Sequence, residues 1–158
     1  MTKFEFFYGT EHPLSQWYGS KFSMDGIEFN SMEQWMMYSK AILFKDFDTA
    51  KKILEEDNPS IQRKLGRQVK FFKDDIWIEH RESIIYQGNY AKFNQNEELK
   101  RYLLNTENAY LAEASPTDLI WGIGYGITDE ERLFPEKWRG ENLLGKILMQ
   151  VREDLKIG

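Results

Sequence analysis

Short apolar runs separated by polar breaks run the length of the chain, and their spacing predicts its elements. Residues 4–8 form an apolar run that reads as a strand, and a polar, turn-prone stretch follows over residues 9–15. Between the apolar flanks of residues 22–29 sits Asp25-Gly26, a dipeptide that readily accepts the positive φ angles of a tight hairpin. Asn30 and Ser31 then open a helix, because Ser31 to Gln34 and Asn30 to Glu33 both have capping-box spacing. Met32, Trp35, Met36, Ser39 and Leu43 lie on overlapping helical faces and carry it to about residue 43.

A second helix is expected over residues 48–56, ended by Asn58-Pro59, since proline disfavours helical geometry in the residue before it. Residues 59–69 read as a third. From Asp74, the apolar series Ile76, Trp77, Ile84, Ile85, Tyr86 and Phe93 predicts a fourth, which Gly88 interrupts or bends, and residues 96–104 a fifth. Residues 110–114 are the late strand, with Ser115-Pro116-Thr117-Asp118 as a turn. A glycine-spaced segment, 121–126, leads toward an amphipathic helix over residues 142–156. With no internal repeat, low-complexity tract or linker, the pattern describes one α+β unit over residues 1–158.

Composition narrows the chemistry. A balance of 41% hydrophobic and 30% charged residues is globular. Aromatics reach 15%, enough for rings to line a pocket as well as fill a core. Lys and Arg number 21 against 26 Asp and Glu, a net charge of −5, so the molecule lacks the electrostatic footprint of a sequence-reading DNA protein. A small nucleotide or a single modified base remains open to it. The absence of cysteine removes disulfides, thiolate metal sites and a cysteine nucleophile. His12 and His80 are too few for a histidine-rich metal site, and no metal is expected. Glu5 inside the first apolar run argues against a secretory signal, and no stretch approaches the roughly 20 apolar residues of a membrane span. The expected address is cytoplasmic.

Four constellations carry candidate chemistry. Glu33 and Lys40, seven positions apart, share one helical face at about 10 Å axial separation, with Gln34 and Trp35 beside them. The plainer reading has Glu33 facing the positive end of the helix dipole and Lys40 solvated. Glu113 and Asp118, with Trp121 and Gly122 just beyond, place two acids, a flat ring and close-approach backbone in one segment, although Asp118 as a local turn cap explains part of it. Arg139 and Asn142 precede the last helix, where an arginine and free amides suit a phosphate, or where Asn142 is simply an N-cap. Lys92, in Lys92-Phe93-Asn94-Gln95-Asn96, is a secondary phosphate candidate.

In order along the chain, Ser15-Gln16-Trp17, Glu33-Gln34-Trp35 to Lys40-Ala41, Gly66-Arg67, Trp77, Lys92 to Asn96, Leu103 to Thr106, Glu113, Ser115 to Asp118, Trp121 to Gly124 and Trp138 to Gly145 together resemble the YbiA-like or NADAR family. The likeness runs from about residue 6 to residue 155, and ordered matches over that length outweigh the plainer readings of single motifs. It departs in having Gln16 where asparagine is frequent, in Trp35-Met36, and across residues 124–138. The resemblance implies a compact, helix-rich α+β domain with a small, mostly antiparallel sheet. It also implies cleavage of the bond between an anomeric carbon and a nitrogen, in early riboflavin-pathway ribosylamino-pyrimidines or in ADP-ribosylated guanine of nucleic acid.

Breaking such a bond builds positive charge on the sugar and negative charge on the leaving nitrogen, so a carboxylate near C1 and a proton source near the base are needed. On this reading Glu33 is the general acid/base, and Asp118 or Glu113 orients ribose hydroxyls or stabilises the cationic ring. Lys40 either attacks C1 as a desolvated amine, giving an imine, or stays charged and holds a phosphate or Glu33. Gln16, Trp17, Gln34, Trp35, Arg67, Trp77, Trp121, Gly122, Arg139 and Asn142 are candidate substrate contacts, with Trp121 favoured for stacking on the base and Arg67 and Arg139 for phosphate. No cofactor is required. The rival readings are a non-catalytic ADP-ribose or NAD-binding module and a scaffold whose aromatics are only core.

Overall fold

The structure, a computed structural model, describes residues 2–157. The elements follow the local signals closely. Strand β1 (Phe4–Phe7) leads through an irregular loop to the hairpin of β2 (Phe22–Met24) and β3 (Ile27–Phe29), where Asp25 and Gly26 take φ values of 52° and 81°. Helix α1 (Met32–Leu43) follows, then α2 (Phe47–Leu54), α3 (Pro59–Gly66), α4 (Asp74–Gln95) and α5 (Glu97–Asn105). Strand β4 (Tyr110–Glu113), a long irregular segment with two short 3-10 turns, and α6 (Leu143–Ile157) complete the chain. No helix among the described residues is long and apolar enough to cross a membrane.

Two separate ribbons take the place of one mostly antiparallel sheet. Strands β2 and β3 pair antiparallel, whereas β1 pairs parallel with β4, Phe4 opposite Tyr110 and Phe7 opposite Glu113. The parallel pair forms because about a hundred residues of helices separate its strands, enough chain for a crossover. Its open face is covered by the segment after β4. The Trp138 ring meets Phe4 and Tyr110 edge-on or tilted, and Arg132 lies over Phe6.

Helix α4 is the spine, with α1, α5 and α6 against it. Gly88 does not break it. A Cβ there would come within 2.3 Å of the Trp35 ring, so the glycine is the seat on which α1 rests, and the Trp35 indole N–H donates to the Ile84 carbonyl at 2.7 Å. On the other side of α1, buried Gln62 ties α3 down through Ser31 Oγ, Asn30 Oδ1 and the Glu56 carbonyl. Helix α6 lies directly on β4. At Gly145 a Cβ would sit 2.1 Å from the Leu111 carbonyl oxygen, so no larger residue allows that approach. The core between these elements joins Phe7, Phe29, Met32, Ile85, Phe93, Leu111, Leu144 and Leu148 in one cluster.

Candidate active site

The first turn of α1 carries Glu33. Ser31 caps the helix by accepting the Gln34 N–H, while the Gln34 side-chain oxygen accepts the Asn30 N–H one residue further out than a standard capping box. The Glu33 N–H donates to the Gln16 carbonyl at 2.9 Å, which binds the loop after β1 to the helix. A helix N-terminus favours ionised carboxylates. Yet Glu33 is 3% exposed, and loss of solvent dominates, pushing its carboxyl up to about 7. Arg63, a hydrogen bond from Trp17 and the Lys40 charge pull in the opposite direction, while Asp118 adds to the rise.

Glu113 ends β4, where the parallel register stops. Burial, reinforced by the charges of Asp118 and Glu33, pushes it up to about 8. Its Oε2 is buried without a hydrogen-bond partner among the described residues. Gly122 makes room for that oxygen, since a Cβ there would stand 3.0 Å from it. Asp118 accepts the N–H groups of Ile120 and Trp121 on Oδ1 at 3.0 and 2.8 Å, and its own N–H donates to Ser115 Oγ. It is thus both the cap of its turn and the third acid of the cluster. The three acids come from a helix start, a strand end and a turn; burial is what chiefly keeps the two buried carboxyls from ionising, and the Asp118 charge adds to the rise of both.

Lys40 stands two turns beyond Glu33. Partial burial lowers its amine below the ordinary lysine value; Glu33 opposes this, Arg67 adds to it, and Asp74 opposes it. Its Nζ lies 4.6 Å from the centre of the Phe72 ring. Arg63 on α3 and Arg67 at its C-cap are about one helical turn apart and both exposed; the first faces Glu33 and the second Lys40. A buried carboxyl near neutrality beside a partly desolvated amine can deliver a proton and a nucleophile to one ligand.

Several residues expected to contact substrate are engaged by the fold instead. The Gln34 amide is spent on the carbonyls of Ile53, Leu54 and Glu56, because α2 ends against it and leaves those acceptors open. Trp35 is fixed on α4 as described. Asn142 is fully buried with φ at 52°, and its side chain bridges the Leu111 carbonyl and the Glu113 N–H, so it clamps β4 rather than capping α6 for a phosphate. Arg139 stacks 4.3 Å over Tyr125 and donates to the Gly124 carbonyl. Trp77 and Trp121 are each 8% exposed, with Trp121 beneath the Arg81 guanidinium, whereas half-buried Trp17 adjoins Glu33. Lys92 is wholly buried and far from any phosphate role. Arg63 and Phe72 were not singled out by the sequence; the spacing of Arg63 and Arg67, one turn apart, is the signal that marks the former.

The family model of the NADAR domain matches residues 6–156. This chain belongs to the NADAR family. It is similar to an N-glycosidase of Acanthamoeba polyphaga mimivirus, at 42% identity over 96% of both chains. It is also similar to the N-glycosidase YbiA of Escherichia coli strain K12, at 31% identity over 76% of this chain and 68% of that one. The NMR structure of E. coli YbiA superposes with a TM-score of 0.81 at 27% identity, covering 99% of this chain and 88% of YbiA. A third relative, the chloroplastic riboflavin biosynthesis protein PYRR of Arabidopsis thaliana, is 31% identical over 70% of this chain and 17% of its own length. Like its NADAR relatives, the protein is a hydrolase acting on N-glycosyl bonds. The α+β fold expected from the resemblance is the fold of YbiA.

Proposed function

We propose that this NADAR protein cleaves the bond between ribose C1 and a base or amine nitrogen, with Lys40 as nucleophile and Glu33 as general acid/base. Its substrate is ADP-ribosylated guanine in nucleic acid or a ribosylamino-pyrimidine phosphate of riboflavin synthesis. The observation that carries the reading is the meeting of a buried carboxyl titrating near 7 with a lysine whose charge burial disfavours. A general acid/base works best when its pKa lies near the working pH.

In this scheme the Lys40 amine attacks C1, the C1–N bond breaks, and Glu33 gives its proton to the departing nitrogen. The new nitrogen on C1 then loses one proton to Glu33 and, as the ring oxygen leaves C1, its second to that oxygen, giving an imine on an opened ribose. Water adds to the imine carbon, the C1–Lys40 bond breaks, and the sugar departs as the free aldehyde. Glu113, protonated at neutral pH, donates to a ribose oxygen, and Asp118 accepts from a hydroxyl. Trp17 is the ring beside the base, Gln16 presents a buried Oε1 without a hydrogen-bond partner among the described residues, and Arg63 and Arg67 meet the phosphate.

The test incubates wild type, Lys40→Ala and Glu33→Gln with ADP-ribosylated guanosine DNA and with the ribosylamino-pyrimidine phosphate, following released base or sugar by mass spectrometry. Borohydride is added in parallel to reduce an imine onto Lys40. Release and trapping by wild type, lost in Lys40→Ala, support the mechanism. Undiminished release by Lys40→Ala overturns the nucleophile, and release from neither substrate overturns the substrate assignment.

A further inference from the structure

Lys92 lies near the C-terminal end of α4 and is 0% exposed. Its Nζ donates to the carbonyls of Pro13 at 2.7 Å and Ser15 at 3.1 Å. The rings of Phe93 and Tyr18 stand 4.9 and 5.5 Å from it, and no carboxylate lies within ion-pair distance among the described residues. Burial without a counter-ion pushes the Lys92 amine down to about 7, and an apolar side chain would fill the same space without that cost. What the amine adds, charged or neutral, is a pair of diverging donors, both fastened to one loop.

That loop reaches Glu33 within two residues. Ser15 Oγ accepts the Trp17 N–H, the Gln16 carbonyl accepts the Glu33 N–H, and the Trp17 side chain adjoins the Glu33 carboxyl, whose ionised form it favours. An unbroken set of contacts thus runs from the rigid spine helix to the acid at the head of α1. We infer that Lys92 is a positioning residue, holding residues 13–17 so that Gln16 and Trp17 fix the orientation of the Glu33 carboxyl, while Lys92 itself touches no substrate. The inference rests on Glu33 being the general acid/base.

A role confined to core stability and a positioning role predict different outcomes. The Trp17 side chain favours ionised Glu33, so loosening the loop raises the Glu33 midpoint further. The other charges facing Glu33 are Arg63, Asp118, Lys40 and Glu113, none of them on this loop, and His12 and Tyr18 are the titratable groups facing Lys92.

The experiment uses the 15N-labelled full chain as wild type, Lys92→Met and Lys92→Gln, with the Trp17 indole resonance assigned through Trp17→Phe. In wild type that resonance should follow a Glu33 titration near pH 7, a step that Glu33→Gln abolishes and that is thereby separated from Lys92 itself, whose amine burial pushes down to about 7. In Lys92→Met the resonance no longer follows it, or follows it at a higher pH. On whichever N-riboside wild type cleaves, kcat falls roughly ten-fold with KM within about two-fold, the cost of a misplaced catalytic group. Lys92→Gln, which keeps an N–H donor, shows a smaller change in the same direction, and it decides the matter where Lys92→Met does not fold. A folded variant with the wild-type Trp17 titration, or one with a lowered Tm and unchanged kcat, overturns the inference. The resonance needs no turnover, so an inactive wild type refutes the proposed reaction while the titration still decides the role of Lys92.

Discussion

Replacing Glu33 by Gln should remove activity and, at neutral to alkaline pH, stabilise the protein. A free glutamate titrates near 4.5 and Glu33 near 7, so between those values the folded protein keeps a proton that the unfolded chain has lost. Stability contributed by this group is therefore present at low pH and declines as pH rises through that window. A separation of about 2.5 pH units corresponds to about 3 kcal/mol. Gln has nearly the same shape and never ionises, so the variant does not suffer the decline. Near pH 4.5 the two proteins should differ little from this cause. By pH 8 the variant should have gained about 3 kcal/mol on wild type, or roughly 6–12 °C in Tm for a chain of this size. Removing the Glu33 charge also lets Glu113 ionise more easily, which acts in the same direction. Urea unfolding followed by tryptophan fluorescence at the two pH values reads the stability, and base release reads the chemistry, with a loss of about 10²–10⁴-fold expected for a missing general acid/base. A stability difference that is the same at both pH values would refute the burial argument, and a fully active variant would refute the catalytic one.

Three further substitutions test how the site is held. Asn142→Ala leaves the Leu111 carbonyl and the Glu113 N–H unpaired and should cost about 2 kcal/mol or more, with kcat falling beyond what stability explains; denaturant melts and kinetics check it. Gly140→Ala puts a Cβ 2.2 Å from the Gly122 carbonyl oxygen and should cost about 1–3 kcal/mol while pushing Gly122 out of its place beside Glu113, seen as a lowered Tm together with reduced kcat. Trp35→Phe loses the donor to the Ile84 carbonyl and should cost about 1 kcal/mol with kcat/KM unchanged. A ten-fold fall in kcat/KM for Trp35→Phe would return that ring to the substrate.

Much of the scaffold is legible in the sequence because its causes are local. Asp25-Gly26 makes its turn from the φ values those two residues tolerate, Ser31 caps α1 with an oxygen three residues from its donor, and Pro59 starts α3 where its missing N–H does no harm. The positions of Glu33, Lys40, Glu113 and Asp118 are likewise chosen by caps, a helical face, a strand end and a turn. Tertiary structure alone decides what those groups experience. Burial of Glu33 depends on a loop, a helix and a turn distant in sequence, and the rise of Glu113 comes first from its own burial, with Asp118 from the same segment and Glu33, which only the fold brings near it, adding to it. The same holds for side chains whose type suggested substrate contacts. Gln34, Trp35 and Asn142 were claimed by carbonyls and amides that backbone packing left open, and no periodicity or spacing announces where such orphan groups fall. Lys92 shows the limit most plainly, since a lysine in a helix reads as solvated until the loop residues Pro13 and Ser15, more than seventy positions earlier, close over its ammonium.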